Sequence, residues 1–131
     1  MITTLPTAAS VAEAAVAVAP YVRRTPVLRA EVDGRPLVLK LEHLQRGGSF
    51  KLRGAVNALM AGPRPAQVVT ASGGNHGIAV ATAAAALGLP ATVYVPVGAP
   101  EGKTRRIQAA GCSRRMSGGS TPQRSKAEIH R

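Results

Sequence analysis

One lysine of the chain stands where its amine could act as a nucleophile. Lys51 directly follows Phe50, the only phenylalanine of the chain, in the stretch GGSFKLRG at residues 47–54. A helical pattern begins there, and the positive end of a helix dipole disfavours the protonated form of a lysine in the first turn. Burial would act in the same direction, and a neutral amine is the form that attacks an aldehyde. The alternative is an ordinary solvated cation, which the short motif alone favours.

A second loop, SGGNHG at residues 72–77, combines glycines with short polar residues after the apolar run VVTA. Its two consecutive glycines let the backbone approach a ligand closely, and the free amides of the helix behind them favour an anion. Ser72, Asn75 and His76 add groups that could fix a carboxylate or a hydroxyl. The alternative is a left-handed turn in which Asn75 caps the helix and His76 is packed or solvated. The loop alone leaves both interpretations open.

Strands and helices alternate around these two loops. Apolar runs predict strands at residues 38–41, 66–72 and 90–97. Helical patterns follow at residues 49–62, 75–88 and 99–111. This alternation predicts an α/β fold, a parallel sheet with flanking helices and right-handed crossovers. Because ligands of such sheets bind beyond the carboxyl ends of strands, both loops lie where a site is expected.

The composition limits the class of protein. A length of 131 residues predicts one domain at most. The single cysteine, Cys112, excludes an internal disulfide framework and a multi-cysteine zinc site, and it favours a reducing, cytoplasmic setting. No apolar run reaches the length of a membrane span, and Ser10 with Glu13 predicts a capped helix at the N-terminus rather than a signal peptide. We therefore expect a soluble chain without a metal site.

The net charge of +11 raises the possibility of nucleic-acid binding. Residues 1–112 contain 12 basic and 5 acidic residues, whereas residues 113–131 contain 5 and 1, and four of the seven serines. Only Tyr21, Phe50 and Tyr94 could stack on bases, and no recognition motif is present. We therefore expect no specific nucleic-acid partner, and a basic binding module remains an alternative.

Taken together, the two loops identify a family. With YVRRTPVL before them and GKTRRIQAAGC after them, they closely resemble the pyridoxal-phosphate (PLP) enzymes of fold type II over residues 11–112. Within that group the similarity is greatest to the threonine and serine dehydratases. The resemblance implies the N-terminal segment and small domain of the tryptophan-synthase-β-like fold, truncated, with residues 1–112 as a partial domain. It also implies a small amino-acid substrate, and a homo-oligomer in the full-length relatives.

The resemblance further implies a role for each candidate residue. Lys51 would form the internal aldimine with PLP and then serve as base, and Phe50 would line the cofactor pocket. Asn75 would hydrogen-bond the 3-hydroxyl of PLP. The substrate carboxylate would be held by Ser72 and by the loop that follows, namely Gly74, Asn75, His76 and Gly77. The reaction would eliminate water and ammonia from L-threonine or L-serine and leave a 2-oxo acid.

One position bears on the branch of the family. Serine racemases of this group carry a second serine after the first in the SGGNHG-like loop, where it is the base on the opposite face. Here that position is Gly73. Dehydration is therefore favoured, with a serine racemase-like reaction as the alternative.

The similarity ends where a further strand is due. Relatives are much longer, and the resemblance implies that their phosphate-binding glycine loop lies beyond this point, so we expect weak PLP binding and an inactive chain. Residues 113–131 have no apolar run and no alternation of period two, which predicts a disordered basic tail. Our hypothesis is that this tail is read out of frame. A nonfunctional, aggregation-prone fragment is the remaining alternative.

Overall fold

The computed structural model describes residues 5–117, and the side chains of residues 5–113. The helices of this part are α1 (Ala8–Val18), α2 (Lys51–Met60), α3 (Asn75–Ala86) and α4 (Glu101–Ala109), with short 3-10 turns at Ala19–Tyr21 and Glu42–Leu44. Its strands are β1 (Val27–Val32), β2 (Arg35–Lys40), β3 (Val68–Ala71), β4 (Ala91–Pro96) and β5 (Ser113–Ser117).

Helix α1 begins three residues earlier than the sequence pattern indicates. Thr7 is its N-cap, and Thr7 Oγ1 accepts a hydrogen bond from the Ser10 amide at 3.1 Å while Ser10 Oγ accepts one from the Thr7 amide at 2.9 Å. The predicted pairing of Ser10 with Glu13 is therefore wrong, because Ser10 is the third residue of the helix. The helix ends at Val18, and Pro20 lies in the 3-10 turn that follows.

Strands β1 and β2 form an antiparallel hairpin that is a sheet of its own. Its turn consists of Asp33 and Gly34, which both have positive φ, 51° and 72°, as the tightest hairpin turns require. The sequence predicted that residues 38–41 belong to the parallel sheet, and this is wrong. Both strands are largely exposed, with Val38 at 66%, so the hairpin contributes little to the core.

The parallel sheet has the strand order β3–β4–β5. It confirms the α/β fold with a parallel sheet and flanking helices. The expectation of no strand from residue 113 onwards is wrong for residues 113–117, which pair with β4 from Thr92 to Pro96. Backbone pairing along an existing strand edge forms β5 although its own sequence, SRRMS, lacks apolar alternation. The rest of that prediction, residues 118–131, lies outside the described residues.

The core consists of two apolar clusters that share helix α3. In the first, Leu52 and Val56 of α2 are buried with Ala79 and Ala83 of α3. In the second, the opposite flank of α3 packs with β4 and with Ile107 of α4. The alanines on these buried flanks of α3 have small side chains, which let the neighbouring elements approach closely. Both candidate loops are positioned by this packing, since one precedes α2 and the other precedes α3.

Replacing Leu52 by alanine tests this arrangement. Leu52 is 0% exposed, so Leu52→Ala is expected to lower the free energy of unfolding by about 2–5 kcal/mol in urea titrations followed by circular dichroism. Val38→Ala is the control, since Val38 is 66% exposed and its truncation should change that free energy by no more than about 0.5 kcal/mol. Equal losses in both variants would show that α2 does not pack as described.

Candidate functional site

Lys51 is the first residue of α2, as predicted from the sequence. Phe50 is the N-cap residue and gives the helix no side-chain capping hydrogen bond. The expectation that Lys51 is buried is wrong, because its side chain is exposed. Its Nζ lies 5.1 Å from the centroid of the Phe50 ring, a cation–π distance, and Phe50 itself is 61% exposed. The amine is therefore accessible to a ligand from solvent.

The SGGNHG loop is fixed to the sheet at its first residue. The Ser72 amide donates a hydrogen bond to the Tyr94 carbonyl at 2.9 Å, which extends the pairing of β3 and β4 beyond the end of β3. Ser72 Oγ accepts a hydrogen bond from the Gly74 amide at 3.2 Å. Gly74 is the N-cap of α3 in an extended conformation, so the alternative in which Asn75 caps the helix is not what the structure has.

The polar residues of the first turn of α3 differ in their surroundings. Asn75 is exposed, whereas His76 is partly buried and its Nε2 lies 3.3 Å from Thr70 Oγ1. Which of these two atoms donates depends on the tautomer of the imidazole. The amides at the start of a helix have no carbonyl partner within the helix, so the backbone of Asn75, His76 and Gly77 can receive an anion.

The glycines of this loop are required by close packing. A Cβ atom on Gly77 would lie 2.4 Å from the Ser72 carbonyl oxygen and 3.2 Å from Ile107 Cδ1. A Cβ atom on Gly73 would lie 2.6 Å from Ala99 Cβ. Any larger residue at either position must displace the loop or its neighbours. The loop is therefore a tight backbone cradle.

The two loops are brought together by the packing of α2 on α3. A Cβ atom built on Gly47 would lie 3.6 Å from Leu52 Cβ and 3.8 Å from Ala79 Cα, so the GGSFK segment rests on the second turn of α3. Within the described part of the chain, no hydrogen bond or ion pair joins Lys51 to residues 72–77. The loops share a scaffold, and their side chains are left to meet a ligand.

Ser49 is a candidate that the sequence analysis missed. Its Oγ is buried and has no hydrogen-bond partner among the described residues. An unpaired buried hydroxyl costs about 1–3 kcal/mol, which makes it a reserve of hydrogen bonding two residues before Lys51. An accessible amine, an unpaired hydroxyl and a cradle of free amides fit the aldehyde, hydroxyl and anionic groups of PLP and an amino acid. The residues therefore fit this cofactor in part, without a glycine loop for the phosphate.

A polar network behind Lys51 was also missed. Glu42 and Arg53 form an ion pair with an N–O distance of 2.8 Å. Hydrogen bonding to Arg53 is the main reason that the pKa of the Glu42 carboxyl is lowered, and a hydrogen bond from Thr25 adds to it. The two residues are eleven positions apart, a separation that gives no periodic signal in the sequence.

The one cysteine is not a competing nucleophile. Desolvation raises the pKa of the Cys112 thiol, and its Sγ donates a hydrogen bond to the Ile107 carbonyl at 3.0 Å. Within residues 5–117, no three His, Cys, Asp or Glu side chains cluster as metal ligands would. Helices long and apolar enough to cross a membrane are likewise not found in that range.

Comparison with known proteins places these loops in a family context. A family model described as "Pyridoxal-phosphate dependent enzyme" matches residues 18–131. The serine racemase of Arabidopsis thaliana is 45% identical over 105 residues, which cover 75% of this chain and 32% of that protein. The chain thus spans about a third of the length of the curated relatives it matches. The family match includes residues 113–131, and the out-of-frame hypothesis for them stays a prediction.

Solved structures give the same result. The structure of maize serine racemase superposes with a TM-score of 0.79 at 39% identity, covering 86% of this chain and 36% of that one. A bacterial threonine deaminase, from T.th., superposes with a TM-score of 0.79 at 37% identity, covering 88% of this chain and 38% of that one.

Two glycines of similar helical context give a matched test of the cradle. Gly77→Ala is expected to lower the free energy of unfolding by about 1–3 kcal/mol, because its Cβ would overlap the Ser72 carbonyl. Gly54→Ala is the control, since Gly54 lies within α2 with open space around it and should gain roughly 0.5–1 kcal/mol. Urea titration measures both. Similar gains in both variants would contradict the close approach.

The Glu42 carboxyl predicts a specific acid sensitivity. Because its pKa is lowered in the folded chain, its contribution to stability is present above its ordinary value of 4.5 and is lost as the pH falls through the folded pKa. Thermal unfolding between about pH 6 and pH 3 should show this loss in the wild type and a smaller loss in Glu42→Gln. Glu101→Gln, which removes the exposed pair with Arg105, should leave the wild-type profile unchanged. Identical profiles for the wild type and Glu42→Gln would refute the assignment.

Proposed function

The chain belongs to the pyridoxal-phosphate-dependent enzyme family, and we propose that it carries the lysine and carboxylate-binding part of a threonine/serine ammonia-lyase site. The cofactor of the family is PLP. The proposed reaction removes water and ammonia from L-threonine or L-serine and leaves a 2-oxo acid. The whole enzyme's activity is part of the proposal, since the chain spans about a third of its relatives.

The described residues support distinct tasks. Lys51 would hold PLP through its amine and afterwards move the proton at the substrate Cα, and its exposure makes both accessible. Asn75, exposed at the start of α3, would donate to the hydroxyl of the cofactor. The free amides of the first turn of α3, with Ser72, would hold the substrate carboxylate. When bound, PLP supplies the electron sink for the pair left as the Cα–H bond breaks.

The observation that carries the proposal is the packing around Gly73. Racemisation needs a base on the opposite face of the substrate, and the family resemblance puts a second serine at this position in racemases. Ala99 Cβ would be 2.6 Å and Pro96 Cδ 3.3 Å from a Cβ on Gly73, so a serine there requires both neighbours to move. Without that base, elimination is the favoured outcome.

A serine racemase-like reaction is the second candidate. It is favoured by sequence similarity, because serine racemases of Arabidopsis thaliana and maize are 45% and 39% identical to this chain. In this case the opposite-face base must come from a residue other than position 73.

Cofactor binding by Lys51 is tested by adding PLP to the purified chain. The visible absorbance of PLP bound to a lysine amine should form with the wild type and be lost in Lys51→Ala. Lys103→Ala is the matched control, since Lys103 is another exposed lysine, on α4, and its removal should leave the spectrum unchanged. The same spectrum from the wild type and Lys51→Ala would exclude Lys51 as the cofactor-holding residue.

The reaction is tested by its products. With PLP and L-serine, the proposal predicts more 2-oxo acid than D-serine. Gly73→Ser combined with Ala99→Gly, which clears the blocking methyl group, should raise the share of D-serine. D-serine in excess over 2-oxo acid in the wild type would support the racemase-like candidate instead. A PLP-bound chain that releases neither product would contradict lyase activity for this chain.

A further inference from the structure

Three segments of the chain are joined by one polar network at the base of the β1–β2 hairpin. Arg53 donates to both carboxylate oxygens of Glu42, from Nε at 3.0 Å and from Nη2 at 2.8 Å. Thr25 Oγ1 donates to the same carboxylate at 2.5 Å. Arg53 Nη2 also donates to the Arg23 carbonyl at 3.0 Å, and Lys40 Nζ donates to the Thr25 carbonyl. The network thus links the chain before β1, the chain after β2 and the first turn of α2.

The pair at its centre is shielded from water. The side chains of Arg53 and Glu42 are 34% and 16% exposed, and Thr25 is 4% exposed. A two-pronged guanidinium–carboxylate contact fixes direction as well as distance, and it is stronger than a single contact in water. The exposed pair of Arg105 and Glu101 on α4, at 71% and 82% exposure and 3.7 Å, lacks both properties. It serves below as a comparison within the same chain.

Helix geometry connects this network to Lys51. Residues of an α-helix are about 100° apart around its axis, so Lys51 and Arg53 lie about 200° apart, on either side of the buried Leu52. Leu52 fixes how closely α2 approaches α3. A contact on one flank of the helix then sets its rotation about the axis, and so the direction of a side chain on the other flank.

Other contacts of the helix start do not fix this rotation. Helix α2 has no side-chain capping hydrogen bond, and the aromatic partner of Lys51 is the adjacent Phe50. We propose that Arg53 is a positioning residue, which by binding Glu42 and Thr25 holds the first turn of α2 in the rotation that presents the Lys51 amine. The proposal rests on the proposed function in one respect only, that Lys51 is the lysine that holds the cofactor.

The first experiment measures the helix without any cofactor. Amide hydrogen exchange of residues 53–57, whose hydrogen bonds close the first turn of α2, should accelerate roughly tenfold in Arg53→Gln and in Glu42→Gln. Arg53→Lys keeps the charge without the two-pronged contact and should lie between these variants and the wild type. Arg105→Gln removes the same charge from α4 and should leave exchange in α2 unchanged.

The second experiment measures PLP affinity by visible absorbance, at a temperature well below the unfolding midpoint of every variant. Arg53→Gln should raise the dissociation constant of PLP roughly tenfold, Arg53→Lys less, and Arg105→Gln not at all. A purely structural role of Arg53 would lower the unfolding midpoint and leave the affinity of the folded chain unchanged.

The outcomes separate the two proposals. If the wild type binds no PLP, the proposed function fails, and the exchange data still decide whether Arg53 orders the first turn. If Arg53→Gln and Arg105→Gln give the same exchange in α2, the positioning role is overturned. Should Arg53→Gln not fold, Glu42→Gln decides, because it has the same shape as the native residue and removes only the charge.

Discussion

The close packing of α2 on the alanine-rich face of α3 is the constraint on which the site depends. Leu52 and Ala79 are both fully buried in the same apolar cluster, and the backbone at Gly47 rests between them. This contact places the segment that carries Lys51 beside the helix that begins with the SGGNHG loop. The two loops make no side-chain hydrogen bond or ion pair with each other within the described residues, so the apolar packing sets their relation.

Two further kinds of contact refine that relation. Around the anion-binding loop, the missing side chains of Gly73 and Gly77 allow the backbone to lie against Ala99 and the Ser72 carbonyl, which leaves amides instead of side chains facing a ligand. Around the lysine, the two-pronged contact between Arg53 and Glu42 links α2 to the hairpin. The hairpin itself is exposed on both strands, so its base is where it is joined to the rest of the chain.

The sequence predicted the parts of this structure that follow from local patterns. The start of α2 at Lys51, the loop between β3 and α3 and the parallel sheet were all recognisable from apolar periods and glycine positions. The separate hairpin and strand β5 were not, because strand partners are chosen by tertiary contacts that no local period records. The exposure of Lys51, the unpaired Ser49 hydroxyl and the Glu42–Arg53 pair depend on contacts between distant residues, which a single sequence does not contain.

The central claim is that this scaffold directs one lysine towards PLP. Its most direct test is to reduce the PLP-treated chain with borohydride and to locate the pyridoxyl group by mass spectrometry of peptides. The chain has four lysines, Lys40, Lys51, Lys103 and Lys126, which react competitively. The account predicts that the label lies almost wholly on Lys51. Labelling in similar shares on all four lysines would contradict it.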